Sequence, residues 1–259
     1  MCASYNPEND TVYSLNFATP GRVYIFNNRI FDKEADYRGG SEKDVDRLCD
    51  LFEELNFEVE CFIDKTADQL RARVRKLTQI DYDNVGCILM FIMSHGTDGK
   101  ILGTDGEVVH LRDFVDPFKK VKSLKDKPKM FFINACRGDK MTPVHDHVKE
   151  VDMDTEEANE DLFIANKTPL DADFLFVYST VANYYSIRDS EDGSWFIQIM
   201  CDIIQTLKTQ RDLHGILTNV IREVKKKQGK NKKGNLIKMH PTYTSQLCKD
   251  FYFVNIIFY

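Results

Sequence analysis

The sequence lacks long apolar runs and paired cysteine motifs, and each absence argues against a class of protein. No apolar segment reaches membrane-spanning length, and Met1–Asn9 is polar where a secretory signal peptide would carry an apolar core. The seven cysteines are odd in number and none is spaced as Cys-x-x-Cys, which disfavours a disulfide framework or a zinc ribbon. We therefore expect a cytoplasmic protein with free thiols and no membrane attachment.

The chain also lacks an excess of basic residues. Its formal net charge is −6, which does not suggest a nucleic-acid-binding protein. With 259 residues and 42% apolar side chains, it is large enough to bury the core of one large α/β domain or two small ones. No internal repeats are evident.

Apolar strands alternate with amphipathic helices along most of the chain. This order predicts a mostly parallel sheet with helices on both faces. Ser41 and Asp44 have the spacing of a capping box at a helix start. Predicted strands are Arg22–Asn28, Glu58–Ile63, Cys87–Met93, a run from Lys129, Phe174–Thr180 and Thr242–Phe253; predicted helices begin at Ser41, Thr66, Trp195 and Leu213.

Two of the apolar strands end at residues that can carry out chemistry. Cys136 follows the strand that starts at Lys129, and His95 follows the strand that ends at Met93. Because the C-terminal ends of parallel strands lie along one edge, the thiol and the imidazole are a candidate nucleophile and base. Each residue alone has an ordinary explanation, a small core cysteine or a hydrogen-bonded structural histidine, and these explanations stay open at this point.

Nucleophilic attack by a thiolate on a carbonyl also needs donors for the oxyanion. The backbone amides of Gly96 and Cys136 lie in the two polar loops and could supply them. Glycine at positions 96 and 138 permits the close backbone approach that such a site requires.

The segment Asn134-Ala135-Cys136-Arg137-Gly138 resembles the Gln-Ala-Cys-x-Gly signature around the caspase nucleophile, with a histidine upstream. Ser94-His95-Gly96 is similar to the histidine loop of that family. Asp171–Leu175 and Asp192–Gln198 are similar to its small-subunit segments. The resemblance extends from about Arg22 to the C-terminus. It implies a caspase-like three-layer sandwich around a six-stranded sheet.

The resemblance also implies an organisation of the chain. We expect a short N-terminal prodomain over residues 1–20, without space for a recruitment domain, as in effector caspases. Residues 21–154 would form the large-subunit half with the catalytic residues, and residues 155–259 the small-subunit half. An acidic linker, residues 139–168, would join the halves within one catalytic domain. Between His145 and Asp161 it holds eight acidic residues and one lysine.

Caspases cleave after aspartate, and the resemblance assigns residues to that specificity. Arg38 and Arg188 match the two pocket arginines, whose planar guanidinium groups suit a carboxylate. Asn134 replaces the usual pocket glutamine and is one methylene shorter. Ile187 replaces a tryptophan that borders the upstream subsites, so altered peptide preferences are expected. The remaining predicted subsite residues are Tyr185, Ser186 and Trp195.

Two charged segments have further possible roles. The basic segment Arg222–Lys233 could be a nuclear-localisation or nucleic-acid patch, a solvated loop, or a rim that favours acidic substrates.

The acidic linker would be cut to activate a zymogen. The expected processing sites are Asp154 first, then Asp152 and Asp161, with Asp10 in the prodomain. His145 and His147 make only a weak metal site, and no metal or cofactor is expected.

The implied function is a cysteine endopeptidase that acts after aspartate in programmed cell death or related signalling. Its expected partners are protein substrates, an upstream caspase, inhibitor proteins and a second subunit. The C-terminal strand would pair with its mate in a homodimer, or with a related caspase in a heterodimer. The alternatives are a weak or inactive homologue that regulates a paralogue, and a cysteine peptidase of the same fold with another primary specificity.

Overall fold

The computed structural model describes residues 11–32, 37–138, 172–182, 185–230, 234 and 236–255. The strands are β1 Arg22–Asn27, β2 Glu58–Ile63, β3 Ile88–Met93, β4 Gly96–Thr97, β5 Lys100–Leu102, β6 Val108–His110, β7 Lys129–Asn134, β8 Phe174–Tyr178, β9 Arg188–Asp189, β10 Gly193–Ser194, β11 Gly229–Lys230, β12 Leu236–Ile237 and β13 Thr242–Ser245. The helices are α1 Ser41–Glu54, α2 Ala67–Leu77, α3 Arg112–Val115, α4 Trp195–Leu207 and α5 Leu213–Lys226. Two 3₁₀ segments, Asp116–Lys120 and Lys122–Leu124, follow α3.

A six-stranded sheet lies at the centre of the described part of the chain. Its strands are ordered β13-β8-β7-β3-β1-β2, and all neighbours are parallel except β13, which runs antiparallel to β8 at one edge. The predicted α/β class and the mostly parallel six-stranded sheet are thereby confirmed. Across these ranges, no helix has the length and apolarity needed to cross a bilayer.

Strands β3 and β7 are buried on both faces, which explains their continuous apolar sequences. Their side chains alternate between two apolar clusters. Phe91 and Phe132 stack in the first cluster with ring centroids 4.6 Å apart. Phe131 and Ile133 belong to the second cluster on the opposite face. Helices α1, α4 and α5 cover the first face, and α2 and α3 cover the second, so that the sheet is the middle of three layers.

Three sequence-based expectations were wrong in detail. The last strand ends at Ser245 rather than Phe253, because Phe251 and Phe253 leave the sheet and pack into the first core cluster. The basic segment is not one loop, since Arg222–Lys226 forms the last turns of α5. The capping box belongs to α2, where the hydroxyl of Thr66 accepts from the N–H of Gln69 and the Gln69 side chain accepts from the N–H of Thr66.

Asp44 does not cap α1, whose N-cap is Gly40 with no side-chain capping bond. Its buried carboxylate reaches across to the start of α4 instead. It accepts the N–H of Ser194 at 2.9 and 3.1 Å and the side-chain amide of Gln198 at 2.9 Å. Asp44 therefore fastens the first turn of α1 to the first turn of α4.

We predict that Asp44→Ala lowers the free energy of unfolding by about 2–4 kcal/mol, because the buried N–H of Ser194 and the half-buried amide of Gln198 lose their acceptor. The matched control is Asp46→Ala, two positions along the same helix and exposed, which should change it by less than about 0.5 kcal/mol. Denaturant unfolding of both variants measures the difference. Equal destabilisation by the two substitutions would contradict the role given to Asp44.

Candidate active site

The pairing of β3 with β7 sets the positions of Cys136 and His95. The two strands are parallel, and Met93, the last residue of β3, pairs with Asn134, the last residue of β7. His95 and Cys136 each follow two residues later, so that both leave the same edge of the sheet at the same level. Neighbouring strands lie only about 4.8 Å apart. The structure thus brings the predicted base and nucleophile onto adjacent loops.

The histidine loop lies directly against the cysteine loop. A Cβ built on Gly96 would lie 3.3 Å from the Cβ of Ala135 and 2.4 Å from the carbonyl oxygen of Lys100. Any side chain at position 96 would therefore clash with β5. The ring of His95 packs beside Phe31, with centroids 4.9 Å apart. Glycine at position 96 allows the two loops their close approach.

Arg137 joins the two loops to the end of β8. Its Nε donates to Asp98 Oδ1 in the histidine loop at 3.0 Å, and its Nη1 donates to the carbonyl of Thr180 at 3.3 Å. The guanidinium also lies 4.1 Å from the ring centroid of Tyr178. Because the side chain is almost fully buried, these contacts hold the residue that follows Cys136 in one place.

The structure also brings Arg38 and Arg188 together. Arg38 is buried and donates through Nη1 to Asn28 O at 2.7 Å and Asn27 Oδ1 at 3.1 Å, beyond the end of β1. Arg188 donates through Nε to the carbonyl of Gly39 at 2.7 Å. The two predicted pocket arginines, far apart in sequence, therefore meet at the start of α1.

Burial disfavours the charged forms of both Arg38 and Arg188, so that the site holds an imbalance of positive charge. Burial lowers the pKa of Arg38 to about 9, and the charge of Arg188 contributes to the shift. Burial also lowers the pKa of Arg188. The carboxylate of Asp44 opposes both shifts, but it is already occupied by Ser194 and Gln198. An incoming carboxylate would relieve this imbalance.

The Cys136 thiol lies within the influence of the same two arginines. Burial raises the pKa of Cys136, and the charges of Arg38 and Arg188 oppose that rise. Its sulfur lies 4.0 Å from the carbonyl oxygen of Ser186, to which the S–H donates. The raised pKa favours the protonated thiol at neutral pH.

Asn134 is buried in a chain of hydrogen bonds beneath the thiol. Its Nδ2 donates to Ser194 Oγ at 2.9 Å, and its Oδ1 accepts from Ser186 Oγ at 2.9 Å. Ser186 Oγ in turn accepts from Ser179 Oγ at 2.9 Å. Asn134 therefore connects the segment before β9 with the N-cap of α4. With both ends of its amide engaged, it holds the surrounding elements in place.

The predicted upstream subsite residues differ in their surroundings. The N–H of Ile187 donates to Met239 Sδ at 3.2 Å, and the Ile187 side chain packs against the first core cluster. The Trp195 indole lies under the β11–β12 hairpin, where a Cβ on Gly229 would be 3.1 Å from its ring. Tyr185 is exposed. The hairpin that carries part of the basic segment thus covers the tryptophan.

Sequence reasoning missed Asp44, Asp98, Ser194 and Met239. Asp98 could have been inferred, because a buried Arg137 needs an acidic partner and Asp98 lies in the histidine loop. Nothing in the sequence marked Met239 as a site residue, because its side chain is apolar. The expected processing sites Asp10, Asp152, Asp154 and Asp161 lie outside the described residues, as do His145 and His147.

Comparison with known proteins agrees with this geometry. A family model described as the caspase domain matches residues 20–252. Caspase-7 of Gallus gallus is 32% identical over 252 residues, which cover 93% of this chain and 79% of that protein. Caspase-3 of Felis catus is 33% identical over 219 residues, which cover 83% of this chain and 76% of that protein, and caspase-3 of Mesocricetus auratus gives the same values.

We predict that Cys136 reacts slowly with iodoacetamide at neutral pH and faster as the pH rises through its raised pKa. Arg188→Met should move the midpoint of this curve to higher pH, because a cation that favours the thiolate is lost. Alkylation rates at Cys136, followed by mass spectrometry from pH 6 to about 10, measure the shift. The exposed Arg211→Met is the control, and its midpoint should stay in place. A lower midpoint in Arg188→Met would be inconsistent with this electrostatic assignment.

Proposed function

The chain belongs to the caspase family, and from this premise we propose that it is a cysteine endopeptidase that cleaves proteins after aspartate. The observation that carries the proposal is the meeting of Arg38 and Arg188 beside the thiol of Cys136. A peptidase of this fold with another primary specificity would not need one buried and one half-buried cation there.

The proposed chemistry follows the usual order for a thiol peptidase. His95 takes the proton of Cys136, and the thiolate attacks the carbonyl carbon on the aspartate side of the scissile bond. The amides of Gly96 and Cys136 donate to the oxyanion that forms. His95 then gives its proton to the leaving amine, and water hydrolyses the remaining thioester with His95 again acting as the base.

Specificity for aspartate would arise from the charge imbalance of the pocket. Arg38 and Arg188 are largely desolvated, and their lowered pKa values reflect chiefly the cost of burying their charges, to which the charge of Arg188 adds in the case of Arg38. A substrate carboxylate supplies the missing negative charge and accepts charge-assisted hydrogen bonds. A neutral asparagine leaves this cost uncompensated. The arginines would thereby reject uncharged side chains as well as bind charged ones.

Asn134 would act as a positioning residue in this member of the family. Its bonds to Ser186 and Ser194 support the idea that it fixes the pocket walls while the arginines bind the carboxylate. This division of roles fits an active enzyme whose pocket differs in detail from those with glutamine. It also keeps open the alternative of a weak homologue that regulates a paralogue by heterodimerisation.

We predict that the protein hydrolyses aspartyl peptides over matched asparaginyl peptides by a ratio of kcat/KM on the order of 10⁴. Arg38→Met should lower kcat/KM for aspartyl peptides by about 10³-fold, since a buried partner of the carboxylate is removed. A peptide library turned over by wild type, Arg38→Met and the exposed control Arg211→Met measures both effects.

Cys136→Ala controls for contaminating peptidases and should abolish all turnover. If wild type and Cys136→Ala are equally inactive towards every peptide, the endopeptidase proposal is wrong and the regulatory alternative gains support. If wild type turns over peptides with no preference for aspartate, the third possibility, another primary specificity, is favoured.

Zymogen activation and location in the cytoplasm are further parts of the proposal. Residues 21–154 and 155–259 would be the two subunits, separated by a cut at Asp154, with Asp152 and Asp161 as secondary sites and Asp10 in the prodomain. These cuts would themselves be aspartate-directed, by this enzyme or by an upstream caspase. The free thiols of the described cysteines fit a reducing compartment.

Dimer formation would use the free edge of β13. Gln246, directly after the strand, exchanges backbone hydrogen bonds with Phe174 and Asp173 on the β8 side. Because the direction alternates along a strand, the backbone groups of Tyr243 and Ser245 point outward. In the described part of the chain β13 pairs only with β8, which leaves this edge to a second subunit.

We predict that Tyr243→Pro dissociates the dimer, because proline removes an outward N–H that the subunit itself does not need. The matched control Tyr243→Val loses the same ring but keeps the N–H, and should stay dimeric. Sedimentation of both variants at micromolar concentration shows whether each one is a monomer or a dimer. A wild type that is monomeric and fully active would overturn the dimer proposal.

A further inference from the structure

Two thiols away from the proposed active site lie in contact. The sulfur atoms of Cys49 and Cys61 are 3.4 Å apart. Cys49 lies in α1 and Cys61 in β2, the strand at the edge of the sheet opposite to β13. No step of the proposed peptidase mechanism uses either residue. A pair of thiols at this distance, on two different elements, calls for a chemical explanation of its own.

The placement of the pair follows from the fold. Along β2, Cys61 shares its face with Val59, and Val59 and Cys49 both pack against the first core cluster. Cys49 is half-buried and Cys61 is exposed. An oxidant in the solvent can therefore reach Cys61, with Cys49 directly behind it.

The hydrogen bond between the thiols makes them chemically unequal. Either sulfur can donate in this contact, and with Cys61 as the acceptor the bond lowers the pKa of Cys61 and raises the pKa of Cys49. Cys61 therefore ionises first, and the thiolate is the form that oxidants attack. The exposed member of the pair is thus also the more reactive one.

We propose that Cys49 and Cys61 are a redox modification site, at which a peroxide converts the two thiols into a reversible disulfide that pins α1 to β2. The Cys61 thiolate takes up a proton and is oxidised to a sulfenic acid by hydrogen peroxide, which is reduced to water. The Cys49 thiol then attacks that sulfur, a second water leaves, and the S–S bond forms. The thiols lose two electrons and the peroxide gains them.

The geometry permits bond formation with little movement. A disulfide has a sulfur–sulfur distance of about 2.05 Å, so that the pair has roughly 1.4 Å to close. Exposed Cys61 can turn towards α1 without disturbing the core. The bond would hold the middle of α1, whose first turn carries Asp44 and follows the Arg38–Gly40 turn. Since β2 is at the opposite edge from β13, the pair also stays accessible in the proposed dimer.

The test uses the full chain carrying Cys136→Ala, so that the proposed nucleophile neither reacts with peroxide nor cuts the chain. The protein is treated with hydrogen peroxide, the remaining thiols are capped with N-ethylmaleimide, and trypsin is added. Cys49 and Cys61 share one tryptic peptide, Leu48–Lys65, because no lysine or arginine lies between them. We expect that peptide to be two hydrogens lighter and uncapped, and dithiothreitol to restore both capping sites.

A glutamate-specific protease sharpens the mapping, since it cuts after Glu53, Glu54, Glu58 and Glu60. The Cys49 and Cys61 fragments should stay joined only in the oxidised sample. Three outcomes would each overturn the proposal. They are capping of both cysteines, over-oxidation of Cys61 beside a capped Cys49, and a disulfide from either cysteine to the exposed Cys248.

Pinning is tested separately by thermal unfolding. Oxidation should raise the melting temperature by about 5 to 10 °C, because the bond restricts the unfolded chain, and dithiothreitol should reverse the rise. Cys61→Ser should abolish the rise, whereas the matched control Cys248→Ser should retain it. A disulfide that forms without raising the melting temperature would refute the claim that it pins α1 to β2.

Discussion

The pairing of β3 with β7 is the constraint on which the proposed site depends. Both strands are buried on two faces, so that a slip by one residue would exchange the side chains of the two core clusters. The register therefore has little freedom, and the loops that leave the strands begin at the same level. His95 and Cys136 need no contact of their own to become neighbours, because the core has already aligned them.

The second constraint on the proposed site is electrostatic, and Asp44 contributes both to it and to the packing of the helices. This carboxylate holds α1 to α4 through Ser194 and Gln198, and it also moderates the pKa values of Arg38 and Arg188. A single anion thus serves two cations while it is committed to backbone and amide donors. The two arginines thus keep lowered pKa values in a site whose local structure is held by other bonds, which supports the proposed recognition of a carboxylate.

Much of the fold could be predicted from local patterns, since continuous apolar strands and one-sided helices carry clear periodic signals. Helix α4 begins where its pattern indicates, and β2 has the predicted bounds. Strands of two or three residues, such as those around Gly96, are too short to show a period. Polar side chains that act across long separations, such as Asp44 to Ser194, resemble local caps until the tertiary contact is known. Arg38 and Arg188 were predicted as pocket residues only through the resemblance to a family, because a lone arginine in a loop carries no signal of burial.

The pairing of β7 with β8 has a consequence for the integrity of the chain. These neighbours are parallel over five registered pairs, yet they lie on opposite sides of the segment between Gly138 and Ala172. In the first core cluster, β7 packs with α4 and α5 and β8 packs with α1, and in the second cluster β8 packs with α2 and α3. After a break in the backbone between β7 and β8, the two fragments would stay associated through the shared sheet and the shared core. The backbone connection between β7 and β8 then serves to bring the two parts together during folding. The strand order therefore allows two separate polypeptides to form the same fold by fragment complementation.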